Sequence, residues 1–156
     1  MKLHLVLGGS HGIGFEYAKY HLELGHRVII ASRSRDNLYS VCAKLPGLAT
    51  EIITRQVDVL NDRQIEDLLA ENLPSAYETV FVGGPSPVGG AFNNTNSVGN
   101  KLLAVEDWRV SVETCLVYPY RVLHWAFAEH CPSTRVGLLS SSTIEEELDQ
   151  TLFWSS

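Results

Sequence analysis

No apolar run in this chain approaches the about 20 consecutive residues that a membrane-spanning helix needs, so a role inside a bilayer is not expected. Cysteine is scarce. Cys42, Cys115 and Cys131 make an odd count with no metal-ligand spacing, which suits reduced, partly buried thiols rather than a disulfide framework, and no metal site is expected. Basic charge is also short: twelve Lys and Arg face eighteen Asp and Glu, a net charge of −6 that argues against nucleic acid as a main partner. The excess acid is local. Without Glu145, Glu146, Glu147 and Asp149 the balance is fourteen acids against twelve bases. Internal repeats and low-complexity segments are absent. Lys2 is followed by only five residues of mixed apolar character before Gly8, too short for a secretory signal, so a cytoplasmic location is expected.

What the chain does have is a globular composition, 45% apolar over 156 residues, enough for one domain with a real core. Its most informative stretch is Gly8-Gly9-Ser10-His11-Gly12-Ile13-Gly14, placed between an apolar run, Leu3–Leu7, and an amphipathic stretch over 15–24. A glycine turn between strand and helix can hold phosphate, because the first amides of the helix are unpaired and its dipole favours an anion there. Gly8 suits the tight turn, Gly12 a close approach of backbone to a pyrophosphate, and Gly14 the packing of the new helix against the sheet.

The chain then alternates. Phe15, Ala18 and Leu22 share a face of the first helix, which stops at Gly25. Arg27–Ser32 is a second strand, and Leu38, Val41, Cys42 and Leu45 mark a second helix ended by Pro46-Gly47. A third strand lies within 51–59. Asn61 with Gln64 resembles a capping box for a third helix with Ile65, Leu68 and Leu69 inward. A fourth strand is expected over 79–82, a long polar loop over 88–101, and a helix over 106–130 kinked by Pro119. The fifth strand is expected over 135–139, and the last fourteen residues have the pattern of a short helix.

This alternation implies a parallel sheet, and with the glycine turn after the first strand it predicts a doubly wound α/β dinucleotide fold of about five strands. Residues 1–142 are expected to form that domain, with 143–156 an acidic tail. Ligands collect at the carboxyl ends of such strands, which here carry the turn at 8–14, Ser32 to Arg35, Asp58-Val59, residues 83–87 and Ser140 to Ser142. Where an NAD site has a carboxylate, about 20 residues after the turn, this chain has Ser32-Arg33-Ser34-Arg35. A guanidinium holds a 2′-phosphate and a carboxylate repels it, so NADP is favoured over NAD, with His11 a further donor. The alternative is that both arginines are solvated loop charges.

Over about 3–142 these residues resemble the short-chain dehydrogenase/reductase family, in family order. The segment from Leu7 to Gly14 is similar to its T-G-x-x-x-G-I-G turn, with Leu7 in place of threonine. Ala31-Ser32-Arg33 looks like an NADP-type strand end, and Asp58-Val59 like the dipeptide that lies against adenine. Gly83-Gly84-Pro85-Ser86-Pro87 resembles the G-G-P-P-P variant of the N-N-A-G segment. The resemblance implies cofactor contacts at Gly8, Ser10, His11, Gly12, Ile13, Gly14, Ser32, Arg33, Ser34, Asp58, Val59, Gly83, Gly84 and Pro85, and a substrate-orienting role for Ser141. Ser140 to Ser142 read equally well as a plain strand-end turn.

The family's proton donor does not follow. Its tyrosine position falls on Trp154, its lysine lies beyond Ser156, and its helix asparagine falls near Cys115; no tyrosine in the chain has a lysine four residues on. Tyr118 and Tyr120 read as core or interface aromatics. The expectation is therefore an NADP(H)-binding relative, truncated against a full reductase, with weak or no carbonyl reductase activity alone. The alternatives are a cofactor-sensing or assembly module, or the remnant of a longer reductase. The long helix and the exposed fifth strand are expected to make a homo-oligomer.

Overall fold

The computed structural model describes residues 1–71, 77–83, 109–110, 112–128 and 134–138. The expected polar loop and acidic tail lie outside them, as do Cys131, Ser141 and Trp154.

In chain order the elements are β1 (Leu3–Leu7), α1 (Gly12–Glu23), β2 (Arg27–Ser32), α2 (Arg35–Lys44), a 3-10 turn (Pro46–Glu51), β3 (Ile52–Gln56), α3 (Asp62–Ala70), β4 (Tyr77–Val82), a π-helical turn (Glu113–Val117), α4 (Tyr118–Ala128) and β5 (Arg135–Leu138). All neighbouring strands pair in parallel, in the order β3-β2-β1-β4-β5. This is the doubly wound arrangement: the chain winds outward from β1 through β2 to β3, then crosses to β4 on the other side of β1.

Successive residues of a central strand face opposite sides of a sheet covered on both. Leu5 and Leu7 of β1, with Ile29 and Ala31 of β2, pack with Ile65, Leu68 and Leu69 of α3 and Tyr118 and Val122 of α4. Val6, Val28 and Ile30 face the other way, against Ala18 and Leu22 of α1 and Leu38 and Val41 of α2. Each fully buried Val, Leu or Ile among them contributes about 1.5–3 kcal/mol. Arg121 of α4 bonds both Glu113 and Asp62, tying the π-helical turn and the start of α3 together.

The third strand, Ile52–Gln56, falls within the expected 51–59; it ends where its partner β2 ends at Ser32, and Val57 then gives its N–H to the Ser32 carbonyl at 3.0 Å. Other boundaries depart from expectation. Pro46-Gly47 opens a 3-10 turn instead of simply stopping α2. The fourth strand begins two residues early at Tyr77, with a register irregularity between Leu3 and His4. Pro119 has no N–H to offer the carbonyl of Cys115, and the expected kink takes the form of the π-helical turn before it. Cys42 is half-buried as expected, whereas Cys115, on that turn, is exposed. Among the described residues no helix is long and apolar enough to cross a membrane.

Half of the expected capping box forms. The Asn61 side chain accepts from the Gln64 N–H at 3.2 Å, but Gln64 Oε1 reaches past Asn61 to the Asp58 N–H at 2.8 Å. Gln64 thus pins Asp58, two residues past β3, to the start of α3. Asn61→Ala is expected to cost about 1 kcal/mol, which for a chain of this size lowers the thermal midpoint by about 2–4 °C; an unchanged midpoint in a melting experiment would mean the cap contributes nothing.

Candidate functional site

At the carboxyl ends of the strands a cleft opens between the turn after β1, the loop after β2 and the segment after β3. Gly8, Ser10, His11, Ser32, Arg33, Ser34, Asp58, Val59 and Gly83 all line it. Its floor is backbone on backbone. The Gly8 N–H bonds the Ala31 carbonyl and the Gly83 N–H bonds the Leu7 carbonyl, both at 2.9 Å. Gly8 has a φ of +76°, and a Cβ there would lie 2.9 Å from the Gly83 oxygen. A Cβ on Gly14 would meet the Gly8 oxygen at 2.5 Å, so glycine at 14 lets α1 rest directly on the turn. Gly12 differs: its φ is +58°, and a Cβ there would meet nothing within 4 Å.

The three helices that follow β1, β2 and β3 start differently. Ser34 caps α2 by accepting from the Asn37 N–H, Asn61 caps α3, and each helix has an aspartate in its first turn. The cap position of α1 is His11, whose side chain makes no capping bond, and the first turn of α1 has no acid. Its amides and positive dipole end are therefore left for something else, beside the cleft. His11 instead shares Ser10 Oγ, which lies 3.0 Å from His11 Nδ1 and 3.0 Å from Ser32 Oγ. Ser10 is buried, and this bond fastens the glycine turn to the end of β2.

Arg33 and Arg35 are exposed, and neither pairs with a carboxylate among the described residues. Arg33 is fixed through its backbone, whose carbonyl accepts from Gln56 Nε2. Asp58 Oδ1 accepts from the Leu60 N–H at 3.0 Å, which shapes the turn under Val59. The cleft also includes Asn37 and Leu60, which the sequence reading passed over. Asn37 follows the Ser34 cap by three residues, so the cap itself was the signal that could have found it. Gly12, Ile13 and Gly14 begin α1 without lining the cleft, Ile13 being exposed. Gly84, Pro85 and Ser141 fall outside the described residues.

Tyr118 belongs to the core, and its hydroxyl has no partner among the described residues; burial pushes its pKa well above the ordinary tyrosine value. It is not placed to exchange protons with a ligand in the cleft. Tyr120 is exposed and beside His124.

An open parallel sheet with a glycine turn and a cleft at its switch point defines a nucleotide-binding α/β class of fold. The pattern of short chain dehydrogenases matches residues 2–80, just over half of the chain, and the chain belongs to that family. It is similar to the uncharacterized oxidoreductase DltE of Bacillus subtilis (strain 168), with 47% identity over 64 residues, 41% of this chain and 24% of that protein. It is also similar to the NADP-dependent 3-hydroxy acid dehydrogenase YdfG of Salmonella typhi, with 28% identity over 117 residues, 70% of this chain and 41% of that protein. The chain thus spans less than half the length of either curated relative. Among solved structures, the bulky-bulky ketone specific alcohol dehydrogenase from Comamonas testosteroni superposes with a TM-score of 0.78 at 16% identity, over 99% of this chain and 61% of the other.

The contact of Gly14 with Gly8 is testable. In Gly14→Ala the added methyl must displace backbone, and the expected cost is about 1–3 kcal/mol, the usual range for overpacking. Chemical denaturation should show the loss with an unchanged m-value, and full wild-type stability would contradict the packing described.

Proposed function

We propose that this chain binds NADP(H) in the cleft at the carboxyl ends of β1, β2 and β3, as the cofactor-holding part of a reductase-type oxidoreductase. The observation that carries the reading is the uncapped, acid-free start of α1, opening beside a cleft bordered by Arg33, which pairs with no carboxylate among the described residues. The fit is chemical. The turn at 8–14 offers backbone amides to a pyrophosphate, and the open space over Gly12 leaves room for it. Ser32, Arg33 and Ser34 stand at the end of β2, where a ribose 2′-substituent would be read; Arg33 brings the charge that a 2′-phosphate needs. Ser34 Oγ is engaged in capping α2, so its share is the backbone. Asp58 and Val59 form the wall for the adenine. The NADP dependence named for the Salmonella relative supports the same choice.

When bound, the nicotinamide supplies or accepts hydride. This chain's part is to hold the cofactor and orient it. No tyrosine lines the cleft among the described residues: Tyr118 lies in the core, and no tyrosine of the sequence has a lysine four residues on. We therefore propose weak or no carbonyl reductase activity for these 156 residues by themselves. Gly84 and Pro85 are proposed as cofactor contacts continuing from Gly83, and Ser141 as a group that orients substrate.

We also propose self-association. β5 pairs with β4 on one side and with no strand on the other among the described residues, and Leu138 is exposed at that edge. Leu116 and Tyr120, near the start of α4, are exposed as well. Light scattering at micromolar concentration should show a dimer or larger species; a strict monomer would contradict it.

Isothermal titration with NADPH and NADH tests the cofactor. NADPH is expected to bind more tightly. Arg33→Ala should weaken NADPH by about 10–100-fold, the worth of a charge-assisted bond of about 1.5–3 kcal/mol, and leave NADH nearly unchanged. Equal NADPH affinity in the variant would overturn the 2′-phosphate assignment, and no affinity for either nucleotide would overturn the site.

A further inference from the structure

Three histidines gather at the amino ends of β1 and β2, the opposite end of these strands from the cleft. His4 is in β1 and buried, on the face that packs against α1. His21 is in the last turn of α1, and His26 in the turn that leads into β2. We propose that His4, His21 and His26 form a binding site for a divalent transition metal ion, with zinc the best fit.

The spacing is the first ground. Nε2 of His4 and Nδ1 of His26 are 3.0 Å apart, and Nδ1 of His21 is 3.4 Å from the same His26 nitrogen. Around a tetrahedral zinc with bonds of about 2.0–2.1 Å, neighbouring ligand nitrogens are separated by about 3.3–3.4 Å. Two edges of the tetrahedron are therefore close to the required length, and one ligand nitrogen from each histidine lies within 4.8 Å of the others.

The second ground is that packing does not explain His4. An alternating central strand calls for an apolar side chain at this position, and Val6, the next residue on the same face, supplies one. His4 instead puts an imidazole there at 1% exposure. Its Nε2 lies 3.0 Å from His26 Nδ1, and its ring stacks on that of His21. Nδ1, on the other side of the ring, has no hydrogen-bond partner among the described residues and is not the nitrogen offered to the metal.

The charged groups at the site are Lys2 and Glu78, which pair with each other at 2.9 Å. Glu78 is the residue skipped at the register irregularity, where His4 pairs with Thr79 and Leu3 with Tyr77. Water completes the coordination, as the cluster of ligand atoms within 4.8 Å holds the three histidines alone among the described residues.

One rearrangement is needed. The rings of His4 and His21 stack at 3.8 Å with 22° between their planes, so their lone pairs run nearly parallel. His21 and His26 are only partly buried, at a helix end and in a turn, and can rotate toward a metal while His4 stays fixed.

The test is titration of the chelator-treated chain with zinc chloride by calorimetry, alongside a melting experiment. We expect one zinc per chain, a raised melting temperature, and intense visible absorption when cobalt(II) is used as a spectroscopic probe. His21→Gln and His26→Gln leave buried His4 in place and should each weaken zinc by about tenfold or more, since loss of an outer contact alone costs about 10–100-fold. NADPH affinity should be the same in both variants. Wild-type binding no tighter than that of the variants, or one zinc bound equally by both, would overturn the site.

Discussion

The close approach of three glycines, Gly8, Gly14 and Gly83, is the constraint on which the rest of the structure depends. Each is packed so that a Cβ would strike backbone oxygen of another strand end or of the turn at 2.5 to 2.9 Å. With no side chains between them, β1 and β4 stay paired to their last residues, and α1 begins directly on the turn. That geometry sets the helix start, with its free amides and positive dipole end, beside the cleft. A bulkier residue at 14 would lift the helix away from the site it serves.

Polar bonds around the cleft extend this placement. Ser10 fastens the turn to Ser32, Gln56 holds the Arg33 backbone, and Gln64 holds Asp58. These link the three loops that line the cleft while leaving the guanidinium of Arg33 without a carboxylate partner among the described residues. At the other end of the same strands the register irregularity and the turn after α1 bring three imidazoles together. One sheet thus carries two separate concentrations of polar chemistry, and the apolar stretch from Leu5 to Leu7 lies between them.

Much of this was legible in the chain. Leu3–Leu7 followed by the glycine turn announced β1 and α1, and Arg27–Ser32 matched β2 to the residue because a β-branched run between Gly25 and a polar loop has few other solutions. The arginine loop and Asp58-Val59 were expected at the carboxyl ends of their strands from the alternation of strand and helix, and they line the cleft. What escaped reading depends on pairing across the sheet. His4, His21 and His26 follow no ligand spacing; they meet because β1 pairs with β2 in the register His4 to Val28 and α1 returns the chain to the amino ends of these strands. Gln64 looked like a partner for Asn61, but the end of β3 offered it a nearer N–H. Pro119 signalled a break in the helix, while the form of that break depends on how α4 packs on the sheet.

The central claim is that the turn after β1 and the loop after β2 hold the phosphorylated adenosine half of the cofactor. Backbone amide NMR during titration with adenosine 2′,5′-bisphosphate tests it most directly, since that ligand carries the 2′-phosphate and lacks the nicotinamide. The account predicts saturable shifts in residues 8–14, 32–34 and 57–60, with the amides near His4, His21 and His26 unmoved. Saturable shifts centred elsewhere, or none at millimolar ligand, would contradict it.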